Sequence, residues 1–80
     1  MERNEILKKM NVIFCDVLDN EYIVLTDATT ANDVEDWDSL NHIQLVVAIE
    51  KSFKIRFNSQ EIQSWDTVGD MVSSISAKLN

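Results

Sequence analysis

The sequence predicts an all-α fold: a small antiparallel bundle of three longer helices and one short helix, with a long loop between helices one and two. Three observations carry that prediction. Apolar residues recur at helical spacing near both ends, and a third apolar segment lies between them. Gly69 is the only glycine and proline is absent, so nothing splits residues 1–80 into more than a single domain. Eighty residues also leave room for only one core.

The first helix follows from Met10, Ile13, Phe14 and Val17 at i, i+3, i+4 and i+7, with Leu7 and Leu18 widening the stripe over roughly four turns. The second runs from Leu40 to Phe53. Its apolar residues (Leu40, Ile43, Leu45, Val46, Val47, Ile49, Phe53) cover most of the circumference, which predicts a central helix with several neighbours. Asn58 to Ser64 reads as one short turn of helix, with Asn58 as cap and Ile62 facing inward. The last helix places Val68, Met71, Val72, Ile75 and Leu79 on one stripe. Asp66 or Thr67 is its N-cap, with Asp70 placed for a capping box. The inner core is expected from Phe14, Val17, Ile49, Phe53, Ile62, Val68, Met71 and Ile75. Cys15 joins that core as a small hydrophobe.

Residues 19–38 form an unusually long connection for a compact domain. Tyr22 to Leu25 has strand-like composition, but no partner strand is evident and a lone strand leaves its ladder groups unpaired. An ordered loop is expected instead, pinned by Leu25, Val34 and Trp37. Asp27, Asn32 and Asp33 supply the turns that glycine and proline do not.

At 45% hydrophobic the composition is that of a folded globular chain. The single cysteine, Cys15, cannot close an internal disulfide, which fits a reducing compartment. No apolar run approaches the roughly 20 residues of a membrane span. The first residues lack the basic-then-apolar order of a signal peptide, so a soluble cytoplasmic protein, a monomer, is expected. The formal net charge is -7, and between Lys9 and Lys51 there is no lysine or arginine. Such an acidic half repels nucleic acid and anionic lipid and favours basic protein surfaces; the alternative is a charge that serves solubility alone.

Within the acidic interval, Asp36-Trp37-Asp38-Ser39-Leu40-Asn41-His42-Ile43 places one hydroxyl where an acidic loop gives way to a helix. A phosphate ester is electrostatically favoured there, because helix N-termini present outward N–H groups and a positive dipole end. The plain alternative is an unmodified serine N-cap. The Asp38-Ser39-Leu40 motif, with Ile43, Val46, Val47, Ile49, Glu50 and Phe53 after it, resembles the attachment site and second helix of acyl carrier proteins. The first helix, Thr29-Thr30, Phe53-Lys54-Ile55, Ile62 and the Val68 helix fall in that family's order, so the resemblance covers essentially the whole chain.

The resemblance implies that Ser39 bears covalent 4′-phosphopantetheine, placed there from coenzyme A by a phosphopantetheinyl transferase. Acyl groups would ride on the arm's thiol as thioesters, without catalysis by the carrier. An acyl-loading ligase or acyltransferase and downstream synthase enzymes would be the other partners. Trp37, Asp38, Leu40, His42, Ile43 and Val47 would shape the contact surface. Departures from the family's usual pattern are Asp36 in place of glycine, Trp37 in place of a smaller residue, and Asn41 and Gln44 where fatty-acid carriers are acidic. These point to a dedicated carrier in a specialised pathway; the alternative is drift on a tolerant surface. The rival from another class is an unmodified acidic helical adaptor.

Other constellations are weaker. Ser39 and His42 share a helical face near Asp38, but so small a bundle leaves little room for a hydrolase pocket or oxyanion hole; His42 is expected at the surface, at a partner interface. Asp33, Glu35, Asp36 and Asp38 lack the glycine and terminal glutamate of a calcium loop. Trp37 and Trp65 are expected to pack, with lining of the partner surface as the alternative for Trp37.

Overall fold

The computed structural model describes residues 2–79, and among them the regular elements are all helical. Helix α1 spans Arg3–Val17, α2 Ser39–Phe53, α3 Ser59–Ser64 and α4 Val68–Leu79, with one turn of 3-10 helix at Ala31–Asp33. The expected order of three longer helices and one short one is therefore what forms. The second helix starts one residue before Leu40.

Helix α1 lies against both α2 and α4. It buries Ile6, Met10 and Phe14, spaced at one-turn intervals. Opposite them stand Leu45, Ile49 and Phe53 of α2 and Val68, Met71, Val72 and Ile75 of α4. Each such side chain contributes about 1.5–3 kcal/mol through removal from water, which makes this seam the main source of stability. Three expectations are corrected. Val17 and Cys15 pack against the core from its edge and are only half-buried, and Ile62 is half-buried because the six-residue α3 is too short to enclose a face. Helix α2 is not apolar-packed all round either, since Leu40, Ile43 and Val47 face solvent.

The long loop is ordered by a device that the sequence does not announce. Residues Tyr22 to Leu25 run outside regular structure, with Ile23 and Leu25 turned into the core and Tyr22 and Val24 turned out. The Asn11 side chain stands where a partner strand would be. Its Nδ2 donates to the Ile23 carbonyl at 2.9 Å, and its Oδ1 accepts from the Leu25 N–H at 2.7 Å. One carboxamide has a donor and an acceptor side by side, which matches the two backbone groups between them. Leu25 is buried and Val34 and Trp37 pack against the core, as expected of the residues that pin the loop.

The loop also closes the start of α4. The Val68 and Gly69 N–H groups donate to the carbonyls of Thr29 and Asp27 at 2.8 and 2.9 Å. A Cβ on Gly69 would lie 2.8 Å from the Asp27 carbonyl oxygen, so the chain's single glycine sits where the backbones need its lack of a side chain. Thr67 is the N-cap: its Oγ1 accepts from the Asp70 N–H, and the Asp70 carboxylate accepts from the Asp66 and Thr67 N–H groups. Asn58 caps α3 as expected, and the Glu61 carboxylate makes the cap reciprocal by accepting the Asn58 N–H. Lys78 on α4 reaches Glu61 at 3.0 Å, and that hydrogen bond, with the Asn58 N–H, holds the Glu61 carboxyl below its usual pKa.

Candidate functional site

Helix α2 begins differently. Asp38 is the N-cap, its Oδ1 accepting the Asn41 N–H at 2.8 Å. Ser39 is thus the first helical residue and not the cap, so the unmodified-cap alternative loses its structural basis. Its side chain is exposed, and among the described residues nothing bonds its hydroxyl. Among the same residues, the N–H groups of Ser39 and Leu40 also lack a protein acceptor. A free primary alcohol thus stands beside two outward N–H donors at the positive end of a 15-residue helix.

The approach to this serine is a tight turn. Asp36 has φ 69°, a left-handed conformation in which glycine is the least strained residue. Its carbonyl accepts from the Asn41 side chain at 2.7 Å and from the Asp38 N–H at 3.1 Å. Asn41 therefore braces the turn through its side chain and takes the cap through its backbone. Aspartate is among the few non-glycine residues that visit this region without large cost, and the carbonyl bonds hold it there.

Beside Ser39 lies a chain of aromatic rings that links the loop to α2 and α4. Trp37 meets Phe14 edge-on at 4.9 Å and stacks on His42 at 6.0 Å; His42 then meets Trp65 at 6.3 Å, and Trp65 meets Phe57 edge-on at 4.8 Å. The Trp37 Nε1–H donates to His42 Nδ1 at 3.0 Å, and the Trp65 Nε1–H donates to Ser74 Oγ at 2.8 Å. An Nδ1 that accepts a hydrogen bond leaves the ring proton on Nε2. Burial pushes the His42 pKa below the ordinary imidazole value, so the neutral ring is favoured. His42 was expected at the surface; it is half-buried and part of the packing. Its Nδ1 is occupied by tryptophan and, among the described residues, it makes no bond to Ser39, which removes the hydrolase dyad.

A cavity of about 370 Å³ opens between these rings and the serine, lined by Ala31, Trp37, Asp38, Ser39, His42, Trp65, Asp66, Thr67 and Met71. Sequence reasoning placed Trp37, Asp38, Ser39 and His42 together. It missed the contribution of Trp65, Thr67 and Met71, because no local pattern ties residues some 30 positions apart. On the outer side of α2, Leu40, Ile43 and Val47 are 69%, 64% and 43% exposed and share one stripe. Exposed Lys51 and Lys54 follow at its C-terminal end. Four helices, an unencumbered hydroxyl at one helix start, a cavity next to it and an apolar stripe leading away define a helical carrier domain.

Comparison with known proteins agrees. The family model described as "Phosphopantetheine attachment site" matches residues 12–75. The chain is similar to the acyl carrier protein of Petrotoga mobilis, 33% identical over 81 residues with 100% of this chain and 94% of that protein covered. It is 37% identical over 79 residues to the acyl carrier protein of Prochlorococcus marinus, covering 98% of each. Among solved structures, the holo acyl carrier protein from Geobacter metallireducens superposes with a TM-score of 0.86 at 42% identity, covering 91% of this chain and 84% of that one. The chain belongs to the acyl carrier protein family, and its prosthetic group is covalent 4′-phosphopantetheine. The local chemistry fits that group: an accessible alcohol, two free N–H donors for a phosphate, and an adjoining cavity.

Proposed function

We propose that Ser39 is the attachment residue and that the chain is a dedicated carrier in a specialised pathway. The observation that carries this reading is the free Ser39 hydroxyl at the open start of α2, inside the Asp38-Ser39-Leu40 motif. When bound, the group supplies a flexible arm whose terminal thiol holds an acyl chain as a thioester. The chain's own residues do the rest. Asp38 fixes the first turn by its cap, the Ser39 and Leu40 N–H groups face the phosphate, and Asp36 and Asn41 keep the turn clear of the hydroxyl.

Trp37, Asp38, Leu40, His42, Ile43 and Val47 form the contact surface for the transferase, an acyl-loading ligase or acyltransferase, and downstream synthases. The exposed apolar side chains of α2 support that role, since partner contacts concentrate on such patches. The carrier makes and breaks no bonds itself and works as a monomer in the cytoplasm; no helix of its described residues is long and apolar enough to cross a membrane. Asn41 and Gln44 on α2 favour partners other than those of acidic fatty-acid carriers.

Incubation of the purified chain with coenzyme A, magnesium and a broad-specificity phosphopantetheinyl transferase tests the assignment. Intact mass should rise by one phosphopantetheinyl unit in the natural chain and not in Ser39→Ala. A gain that survives in Ser39→Ala would move the site elsewhere. No gain with several transferases would favour the unmodified adaptor.

A further inference from the structure

We propose that the outer face of α2 is a docking strip with two unlike poles, and that its basic end seats carboxylates on the enzyme that loads the acyl group. This rests on Leu40, Ile43 and Val47 as contact residues and names the chemistry that the partner presents beside them.

The strip follows from helical spacing. Leu40, Ile43, Val47 and Lys51 succeed one another at three or four residues and so stand in one row, with the C-cap Lys54 at its end. The three apolar side chains and both lysines are exposed. From Ser39 to Ile49 the helix carries no acid, lysine or arginine, and its one imidazole, His42, stays neutral in its half-buried setting. Exposed Glu35, Asp36 and Asp38 precede this uncharged stretch, and exposed Lys51, Lys54 and Arg56 follow it. The poles lie about 20 Å apart along the helix, beyond the screening length of roughly 8 Å at physiological salt, so neither cancels the other.

The charge at the basic end is available. Lys51, Lys54 and Arg56 are the only lysines or arginines between Lys9 and Lys78, and they line one cavity of about 400 Å³ with Val47, Glu50 and Ile55. Val47 makes that cavity continuous with the apolar row. The ion pairs among the described residues are Arg3–Asp27 and Lys78–Glu61, so no carboxylate of the fold holds any of the three. Glu50 is the one acid in the cavity wall, and its Oε2 accepts the Phe57 N–H at 2.9 Å. Lys9 Nζ, 5.3 Å from the centre of the Phe53 ring, adds a further positive charge at this end of α2. In a chain of net charge -7 the local field here is opposite to the molecule's own.

A wholly basic partner surface meets Lys51, Lys54 and Arg56 as like charges, and a wholly acidic one meets Glu35, Asp36 and Asp38 in the same way. An apolar socket with basic groups towards Ser39 and carboxylates towards Lys54 fits both poles, and it fits in one orientation. Loading is the step where that selection matters first, because the carrier makes no bond itself and the loading enzyme decides what the arm carries.

Loading kinetics decide the matter. The holo chain is made with a broad-specificity transferase, its mass gain is confirmed, and it is acylated by the loading enzyme purified from the same organism by that activity. The natural chain is compared with the triple variant Lys51→Gln, Lys54→Asn, Arg56→Gln. Asparagine suits the left-handed cap that Lys54 occupies at φ 58°. At low ionic strength kcat/KM should fall about tenfold with kcat unchanged, and the gap should close as salt is raised. A rise in kcat/KM would assign a basic partner surface to this end and overturn the inference, and equal values would overturn it too. Should the triple variant unfold, Lys51→Gln alone, at an exposed helical position, reads the same sign. Ile43→Ser with Val47→Ser separates the inference from its foundation. If that pair lowers kcat/KM and the triple variant does not, the contact surface stands without its basic pole. If neither lowers it, the contact surface falls as well.

Discussion

The starts of α2 and α4 use the same residue chemistry and finish in opposite states. Each has an oxygen-bearing cap, Asp38 or Thr67, that accepts the N–H three residues on. At α4 the loop then covers the remaining donors, with the Thr29 and Asp27 carbonyls on Val68 and Gly69. At α2 nothing covers Ser39 or Leu40 among the described residues. The cap is thus the common requirement of any helix, and the open donors are what distinguishes a site. A helix start that the fold's own backbone does not seal keeps its outward N–H groups available to an anion.

The sharpest way to break the contrast is to unseal α4. Gly69→Val should destabilise the fold by about 2–3 kcal/mol, because its side chain meets the Asp27 carbonyl and forces the two backbones apart. Urea unfolding measures this, and a cost under about 0.5 kcal/mol would mean that the seal contributes little. Asn11→Ala comes next. It strips the Ile23 carbonyl and the Leu25 N–H of their partners and should cost about 1–3 kcal/mol. Faster amide exchange across residues 22–29 should accompany the loss.

At the open end the effects are smaller and split two neighbours. Asp38→Ala should cost about 1 kcal/mol as the loss of a cap. Ser39→Ala should change stability by less than about 0.5 kcal/mol, since its hydroxyl bonds to nothing in the fold. Equal costs at both positions would undo the distinction between cap and site.

The smallest effect is that of His42 on pH dependence. Its folded-state pKa lies below the unfolded value of about 6.5, so the unfolded chain binds the proton first. The stability this gives is complete above that value and is lost as pH falls through it towards the folded pKa. Asp38 and Asp66 line the same cavity, and the cause of the shift is burial of the ring. The melting temperature should decline on acidification from pH 7 towards pH 5, and His42→Gln should flatten that slope. An unchanged slope in the variant would assign it to the carboxylates.

Much of this was legible in the sequence, where the determining forces are local. Helical periodicity located α1, α2 and α4, and the cap chemistry of Asn58 and of Thr67 with Asp70 located the starts of α3 and α4. Asp36 stood out in the sequence as an aspartate where the family has glycine, and its positive φ shows why glycine is the usual choice. Burial was harder to read. Val17 and Ile62 satisfy the pattern without being enclosed, whereas Ile6 and Leu45 are fully buried and were not among the residues expected inside. Periodicity gives the direction of a side chain and not what stands opposite. The aromatic chain from Phe14 to Phe57 and the Asn11 clamp escaped for a related reason. Both join residues that only the folded chain brings together.

The Asn11 clamp has one further consequence. A side-chain amide can serve only one flank of Tyr22–Leu25; on the other, Asn20 Oδ1 accepts the Tyr22 N–H at 3.0 Å, while among the described residues the Val24 backbone groups have no protein partner, with the exposed Tyr22 and Val24 side chains beside them. A longer exposed ribbon of this kind would invite strand addition from another molecule. Here it is four residues long, has Glu21 just before it and Asp27 close after it, and belongs to a chain of net charge -7. Brevity and repulsion guard against aggregation at a place where the fold leaves an edge uncovered.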